Sequence, residues 1–299
     1  MPFTAPDLVI GFPDSEPAAA GLARAMGLPL SLAALHRFPD GESLVRLEGA
    51  PRHPVIVRAL DRPNDKLVEL HFLADALRER GAGAITLVAP YLAYMRQDME
   101  FRPGEVVSQR VMGRWLSGLV DRIVTVEPHL HRTDDLAHVF PGREAHALTA
   151  APLIGAWAKA EAAREGGDWI VLGPDEESGP LVDSVARAAG LTGLVARKER
   201  RGDRDVTVTL PDGADIRGAT VLLVDDVISS GGTMIDAARA ATAAGAGRLL
   251  AAATHALYDE RAADAMRAAG IARVISCDGV AHPSNAIPLA DLLLGALGH

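Results

Sequence analysis

The sequence predicts an α/β fold made of two similar domains, each with a parallel-type sheet flanked by helices. Short apolar runs rich in β-branched residues alternate along the chain with helical stretches rich in alanine and leucine. The apolar runs are continuous, which indicates strands buried on both faces. Such strands alternating with helices are typical of parallel sheets. A length of 299 residues allows for two domains of ordinary size.

The individual elements follow from the same pattern. The apolar runs predict strands at Val55–Leu60, Ile85–Ala89, Ile123–Val126, Trp169–Leu172, Val221–Val224, Leu249–Ala253 and Val274–Cys277. The stretches between them predict helices near Lys66–Arg80, Val107–Leu119, Leu181–Ala189, Thr233–Ala244 and Arg261–Ala269. In the first of these helices, apolar side chains recur at three- and four-residue steps between Leu67 and Leu77, which predicts an amphipathic face.

A faint internal repeat favours the duplication of one domain. The segment GAGAITLVAPYLAY at 81–94 resembles GAGRLLAAATHALY at 245–258, at an offset of 245 − 81 = 164 residues. The same offset aligns Asp61 with Asp225, each of which ends an apolar run. Alanine-rich α/β segments also resemble one another without duplication. We favour duplication because the offset is about half the chain and holds across three elements.

The repeat divides the chain into two halves. We expect an N-terminal domain over residues 1–145 and a C-terminal domain over residues 146–285. The linker is expected near 141–152, where PGREAHALTAAP contains proline, glycine and small residues. The final segment, residues 286–299, is expected to pack on the first domain.

Composition and charge limit the classes of function. Hydrophobic residues make up 48% and charged residues 23%, as in a soluble globular protein. The net charge of −9 argues against a broad nucleic-acid-binding surface. The single cysteine, Cys277, excludes an internal disulfide. No apolar run approaches the length of about 20 residues that a membrane-spanning helix needs. The N-terminus lacks a signal-peptide pattern. We expect a cytoplasmic protein that binds neither membranes nor nucleic acids.

The strongest local signal is VLLVDDVISSGGTMIDAARAA at 221–241, where an apolar strand ends in Asp225 and Asp226 and a small-residue turn opens a helix. The turn offers clustered backbone N–H groups and hydroxyls at a helix N-terminus, from Ser229, Ser230, Gly231, Gly232 and Thr233. This arrangement predicts a site for a phosphate dianion. The two carboxylates suit sugar hydroxyls or metal-bound water. A helix cap would explain a bare SGGT, but the strand, the paired aspartates and the helix in register favour a ligand site.

This loop resembles the phosphoribosyl pyrophosphate loop of phosphoribosyltransferases and of ribose-phosphate pyrophosphokinases. The other motifs follow the order and spacing of the pyrophosphokinase family: FPDGES at 38–43, APYLAYMRQD at 89–98, TVEPHLHR at 125–132, GPD at 173–175 and RKERR at 197–201. The resemblance implies two phosphoribosyltransferase-like domains, in agreement with the repeat. It also implies an enzyme of nucleotide biosynthesis that transfers the pyrophosphoryl group of ATP to the C1 hydroxyl of ribose 5-phosphate, giving 5-phosphoribosyl 1-pyrophosphate and AMP. In that activity the loop would hold the sugar phosphate, and the paired aspartates would orient the ribose hydroxyls.

Two motifs are candidates for ATP binding. Phe38 offers an aromatic face to a purine, and Asp40 and Glu42 offer acceptors for its amino group. A surface turn would explain the same residues without a ligand. The resemblance implies that this loop recognises adenine in a neighbouring subunit, and therefore a homo-oligomer. Arg96 and Gln97 follow a predicted strand, where an arginine can clamp a phosphate, and the resemblance assigns both to ATP, although a solvated loop also accounts for them.

Magnesium is the expected cofactor. Asp175 ends the apolar run WIVLGPD, and a carboxylate oxygen suits Mg²⁺. The resemblance assigns His129 to contacts with magnesium and ATP, although a lone histidine is more often structural. After Asp175 the sequence departs from the glycine-rich pattern of the family, because residues 176–180 read EESGP. The two added carboxylates either alter metal binding or cap a helix.

Residues 197–204 read RKERRGDR and form a basic segment in an acidic chain. A solvated loop is one explanation. The resemblance assigns Lys198 and Arg200 to the catalytic pair of a mobile loop, where they would stabilise charge on the transferring group. Two other functions stay open. A phosphoribosyltransferase that consumes 5-phosphoribosyl 1-pyrophosphate would leave FPDGE, RQD and the Lys-x-Arg pair unexplained, and a catalytically silent regulatory paralogue would explain the altered 176–180 stretch.

Overall fold

The computed structural model describes residues 5–130, 132–133, 135–200, 206–211 and 213–298. The chain folds into two compact units. The first comprises Met1–Leu148, Gly279–Ala281 and Pro288–His299, and the second comprises Thr149–Asp278 and His282–Ile287. Within the described ranges, no helix has the length and apolar character needed to cross a bilayer.

The first unit is built around one parallel sheet. Its elements are β1 (Leu8–Gly11), α1 (Glu16–Met26), β2 (Leu30–Leu32), β3 (Ala34–Arg37), β4 (Ser43–Arg46), β5 (Pro54–Val57), α2 (Pro63–Glu79), β6 (Thr86–Val88), α3 (Ser108–Leu119), β7 (Arg122–Val126) and β8 (Glu144–Leu148). The sheet has the strand order β2-β1-β5-β6-β7-β8, and every pair in it is parallel. β3 and β4 form a separate antiparallel hairpin.

The second unit is built around another parallel sheet. Its elements are α4 (Ala151–Glu165), β9 (Trp169–Gly173), α5 (Gly179–Ala189), β10 (Thr192–Val195), β11 (Arg197–Arg200), β12 (Val206–Thr209), β13 (Thr220–Ile228), α6 (Gly232–Ala243), β14 (Arg248–Ala256), α7 (Glu260–Ala268), β15 (Ile271–Cys277) and β16 (Asn285–Ile287). The strand order is β10-β9-β13-β14-β15-β16, with parallel pairing throughout, and β11 and β12 form an antiparallel pair.

The two sheets share one topology. In each sheet, the second strand in the chain lies at one edge and the first strand lies beside it. The other four strands of the sheet then follow in chain order. The antiparallel pairs β3–β4 and β11–β12 are not part of these sheets. The 164-residue offset carries β6 onto residues 250–252 of β14, as the sequence repeat predicted. The predicted fold class of two similar parallel α/β domains is therefore confirmed.

Burial explains why the apolar runs form these strands. Every residue of β5, β6 and β9 is buried, as expected for strands covered on both faces. The last helix, α8 (Ala290–Leu297), belongs to the first unit and packs against α1, where a Cβ placed at Gly21 would lie 3.6 Å from the Cβ of Ala290.

The boundary between the two units, at Leu148 and Thr149, lies within the predicted linker range 141–152, but most of that range is regular structure. Residues Glu144–Leu148 form β8, and α4 begins at Ala151, so only Thr149 and Ala150 separate the two elements. β8 is an edge strand with the sequence EAHAL, in which Glu144 and His146 break the apolar run that marks the buried strands. Its pairing with β7 is a tertiary feature that composition alone did not indicate.

Candidate functional site

The carboxyl end of β13 and the start of α6 form the phosphate-type loop predicted from the sequence. β13 is buried from Val221 to Val224, after which Asp225 and Asp226 are half-buried and Ser229 and Ser230 are exposed. α6 begins at Gly232, so the turn is placed at a helix N-terminus. Because the first N–H groups of a helix have no partner within it, they are available to a bound anion.

Glycine is required at one position of this turn. Gly231 is the N-cap of α6 and has φ 76°, in the left-handed region that side chains with a Cβ rarely adopt. A Cβ at Gly231 would also lie 3.1 Å from the Cγ of Met266. The N–H of Gly232 donates to the Ser230 hydroxyl at 3.5 Å, so the turn folds tightly around its own backbone.

Three carboxylates gather at the same edge of the sheet. β9 and β13 are neighbours in register through Leu172 and Leu223, so Asp175, which follows β9, comes near the aspartates of β13. Burial, and then the negative charges of Asp226 and Asp175, raise the pKa of Asp225 to about 8. The N–H of Asp226 donates to Asp225 Oδ1 at 2.9 Å, which stabilises the charged form only in part. The site therefore concentrates negative charge that hydroxyl donors or a cation would stabilise.

The stretch after Asp175 forms the start of a helix. Residues Glu176–Ser178 make a short 3₁₀ turn that continues directly into α5, with Pro180 in the first turn. The Ser178 hydroxyl donates to the backbone oxygen of Asp175 at 2.6 Å and closes the turn. Glu176 and Glu177 are exposed, at the helix end where negative charge is favourable. This placement is compatible with the second alternative for the altered EESGP stretch, in which the added charges lie at the start of a helix.

In the first unit, the loops that carry Arg96, Gln97 and His129 follow adjacent strands. β6 and β7 pair through Val88 and Val124, and the RQD and EPHLHR segments follow them. A salt bridge joins the two loops, because Arg132 Nη1 lies 3.1 Å from Asp98 Oδ1 and 3.2 Å from Oδ2. The side chain of Asp98 is 4% exposed, so its carboxylate is buried beneath an arginine from the other loop.

The same two loops contain strained backbone. Tyr94, Glu127 and His129 have φ values of 64°, 40° and 56°, in the left-handed region. Such conformations cost on the order of 1–2 kcal/mol for residues with a side chain and cluster at functional sites. The strain therefore supports a functional assignment for these loops. Gln97, within the first loop, is half-buried and donates from Nε2 to Glu105 Oε2 at 3.0 Å.

The FPDGE motif lies at the tip of the β3–β4 hairpin. Phe38 is 40% exposed, and its ring meets the His36 ring edge-on with the centroids 4.7 Å apart. The backbone N–H of Glu42 donates to Asp40 Oδ1 at 3.2 Å, and the backbone N–H of Phe38 donates to the backbone oxygen of Glu42 at 2.8 Å. The tip thus presents an aromatic face and a carboxylate to the surroundings in a closed turn. The hairpin that carries it lies outside the parallel sheet of its own unit.

The basic segment begins as a strand. Arg197–Arg200 form β11 and pair antiparallel with β12, with Lys198 opposite Val208 and Arg200 opposite Val206. The sequence predicted a loop here, because charged residues mask the strand pattern, whereas the alternating VTVT of β12 carries the strand signal. The side chains of Lys198 and Arg200, and residues 201–205, lie outside the described part of the structure, as does His131.

A buried ion cluster in the first unit was not predicted. Arg58 is 2% exposed and Glu69 4% exposed, and Arg58 Nη2 lies 2.5 Å from Glu69 Oε2. The sequence places both charged residues where burial is expected, because Arg58 directly follows the apolar run PVIV and Glu69 interrupts the buried face of α2. Neither position identifies a partner, since the two residues come together only in the folded chain.

The carboxylates beside the phosphate-type loop are the donors available to a metal ion. Among the described residues, no three histidine, cysteine or carboxylate side chains converge in the manner of a metal site. Mg²⁺, however, commonly uses one or two protein carboxylates and keeps waters or substrate phosphates as its other ligands. Burial and then the negative charges of its neighbours raise the pKa of Asp225, so these carboxylates fit a Mg²⁺ site completed by substrate.

Two parallel sheets of one topology, with a phosphate-type loop at the carboxyl end of a strand in the second, define a phosphoribosyltransferase-type fold. Comparison with family models agrees. Residues 8–119 match the N-terminal domain of ribose phosphate pyrophosphokinase, and residues 147–290 match the phosphoribosyl transferase domain. The chain belongs to the ribose-phosphate pyrophosphokinase family, which confirms the resemblance inferred from its motifs.

Individual relatives cover most of the chain. A ribose-phosphate pyrophosphokinase of Methanopyrus kandleri is 39% identical over 85% of this chain and 86% of the relative. Ribose-phosphate pyrophosphokinase 2 of Archaeoglobus fulgidus is 33% identical over 95% of this chain and 98% of the relative. The crystal structure of a phosphoribosylpyrophosphate synthetase from Mycobacterium smegmatis shares the fold, with a TM-score of 0.82, 24% identity and 97% coverage of both chains.

Proposed function

We propose that this chain is a ribose-phosphate pyrophosphokinase, which converts ATP and ribose 5-phosphate to AMP and 5-phosphoribosyl 1-pyrophosphate. The observation that carries the proposal is the family match across both halves of the chain, together with the phosphate-type loop between β13 and α6. The names of the relatives favour this activity over a phosphoribosyltransferase or a silent regulatory paralogue.

We assign the ribose 5-phosphate to the loop after β13. The backbone N–H groups and hydroxyls of Ser229–Thr233 hold the 5-phosphate at the N-terminus of α6, where the helix dipole favours negative charge. Asp225 and Asp226 accept hydrogen bonds from the ribose hydroxyls. This role suits Asp225 in particular, because hydroxyl donors stabilise its charged form and offset the burial that raises its pKa.

We assign ATP to residues of the first unit. Arg96, Gln97 and His129 lie in the two loops joined by the Asp98–Arg132 salt bridge, and they bind the polyphosphate and its metal. Phe38, Asp40 and Glu42 at the exposed hairpin tip recognise the adenine by stacking and by accepting from its amino group. The exposure of this tip supports a homo-oligomer in which the hairpin serves a neighbouring copy.

We propose Mg²⁺ as the cofactor, with Asp175 as the candidate contact in the second unit and His129 as the candidate contact in the first. When bound, Mg²⁺ neutralises charge on the phosphates of ATP. Lys198 and Arg200 stabilise the charge that develops on the transferring group.

The reaction balances without a further reagent. The C1 hydroxyl oxygen of the sugar forms a bond to the β-phosphorus of ATP. The bond from that phosphorus to the bridging α-phosphate oxygen breaks, and AMP leaves with the electron pair. The hydroxyl proton passes to solvent, and positioning and charge stabilisation supply most of the catalysis.

The proposal is tested by incubating the purified chain with ATP, Mg²⁺ and ribose 5-phosphate and following products by ³¹P NMR. The expected result is one AMP formed for each 5-phosphoribosyl 1-pyrophosphate. Formation of nucleotide and free pyrophosphate from 5-phosphoribosyl 1-pyrophosphate and a base would instead identify a phosphoribosyltransferase. Absence of any turnover would contradict the enzyme assignment.

A further inference from the structure

The β3–β4 hairpin is held at the base of its tip by one buried carboxylate. Arg37 and Ser43 are the last pair of the hairpin ladder, so they flank the five residues of the FPDGE tip on both sides. The Ser43 hydroxyl donates to Glu69 Oε1 at 2.9 Å, and Arg37 Nη2 lies 3.7 Å from the same oxygen. Glu69, on α2, therefore contacts both strands at the point where the tip begins.

Glu69 is itself fixed in place. Its Oε2 lies 2.5 Å from Nη2 of Arg58, whose Cζ lies 3.8 Å from the centroid of the Phe12 ring. Arg58 also donates from Nη1 to the backbone oxygen of Lys66 at 3.2 Å. Since Glu69 is 4% exposed and Arg58 is 2% exposed, their charges depend on each other in a place that water does not reach. The carboxylate is thus a rigid support for the hairpin.

We propose that Glu69 is a positioning residue for the adenine nucleotide, acting through Arg37 and Ser43 on the FPDGE tip. The inference rests on the proposed function, because it takes the tip to be the adenine-recognition element. Glu69 does not touch the nucleotide in this account. It sets the direction in which Phe38 and Asp40 are presented.

The hairpin needs such a support for a physical reason. An isolated two-stranded hairpin is marginally stable in water, and Phe38 is exposed at its tip. A mobile tip would have to be ordered each time a purine stacked on it, and that ordering would weaken binding. Anchoring both strands to a buried carboxylate supplies the order in advance. Asp65 adds a second contact from α2, with its Oδ2 2.7 Å from Arg37 Nη1.

The test removes the contacts from the hairpin side, so that the buried Arg58–Glu69 pair remains intact. In the double variant Arg37→Met, Ser43→Ala, we expect KM for ATP to rise about tenfold, since hydrogen bonds to a charged group are lost. KM for ribose 5-phosphate and kcat at saturating ATP should stay within about twofold. The ratio of kcat/KM for ATP to kcat/KM for GTP should fall as KM for ATP rises. A merely structural role would not separate these constants.

Arg46→Met is the matched control. Arg46 is exposed on the same hairpin, pairs with Ala34 at the opposite end of the ladder, and lies away from the tip. We expect its KM values and its ATP preference to equal those of the unmodified chain. Glu69→Gln, which keeps an acceptor for Ser43, should impair ATP binding less than Glu69→Ala, with folding of each variant checked by thermal unfolding.

The outcomes separate the two proposals. An unmodified chain that makes no 5-phosphoribosyl 1-pyrophosphate would refute the proposed function. An active chain whose double variant keeps a normal KM for ATP, or loses affinity for both substrates equally, would overturn the positioning role of Glu69 while leaving the proposed function in place.

Discussion

Gly232 is the position at which the phosphate loop can be tested with least damage to the fold. The first residue of α6 has ordinary helical backbone, and among the described residues beyond its own helix a Cβ added there would meet only Ser230 Oγ, at 3.7 Å. That distance is ordinary van der Waals contact. Gly232→Ala should therefore fold normally, with an unfolding free energy within about 1 kcal/mol of the parent. Gly231 offers no such test, because its φ of 76° would strain any other residue.

The expected effect on binding follows from the same geometry. A methyl group at Gly232 projects from the turn whose backbone must approach the 5-phosphate. Displacing the phosphate from one backbone donor loses a hydrogen bond to a charged group, about 1.5–3 kcal/mol. At about 1.4 kcal/mol for each factor of ten, KM for ribose 5-phosphate should rise roughly ten- to hundredfold. KM for ATP should change little, because ATP is assigned to residues of the other unit.

The measurement is steady-state kinetics with each substrate varied in turn, together with thermal unfolding of each variant. Gly295→Ala is the matched control, because Gly295 lies in α8 and is exposed, and an added Cβ would have no atom of the described residues within 4 Å outside its own helix. This variant should show unchanged kinetics. If Gly232→Ala folded normally and kept the parent KM for ribose 5-phosphate, the assignment of this loop to the sugar phosphate would be wrong.

Three other changes test separate parts of the structure. A carboxyl whose pKa is raised in the folded state destabilises the fold increasingly as pH rises from about 4 towards about 8. Asp225→Asn should therefore raise the melting temperature more at pH 8 than at pH 5. An equal rise at both pH values would contradict the raised pKa. Gly113→Ala places a Cβ 1.9 Å from the Val139 carbonyl oxygen and should lower stability by several kcal/mol in denaturant unfolding, whereas Gly118→Ala, on the same helix in open space, should not. Lys198→Ala should lower kcat on the order of a hundredfold with little change in either KM, and turnover within about twofold of the parent would discard the catalytic assignment.

Local patterns in the chain were enough to predict two domains with parallel sheets and the strand, turn and helix that carry the candidate phosphate loop. Buried parallel strands such as β5, β9 and β13 are continuous apolar runs, and the following helices carry a 3.6-residue pattern. Both signals are local, so the chain displays them without reference to its folded neighbours. The loop between β13 and α6 was likewise predictable, because its strand, carboxylates, turn and helix are contiguous in the chain.

Which distant residues act together became visible only in the folded chain. Edge strand β8 was hidden, because a half-exposed strand lacks a continuous apolar run. The pKa of Asp225 depends first on its burial and then on the charges of Asp226 and Asp175, the second of which is brought near by the pairing of β9 with β13. Glu69 meets Ser43 across 26 residues because α2 packs beside the hairpin. Burial and electrostatic coupling depend on distances in space, and spacing along the chain does not encode those distances.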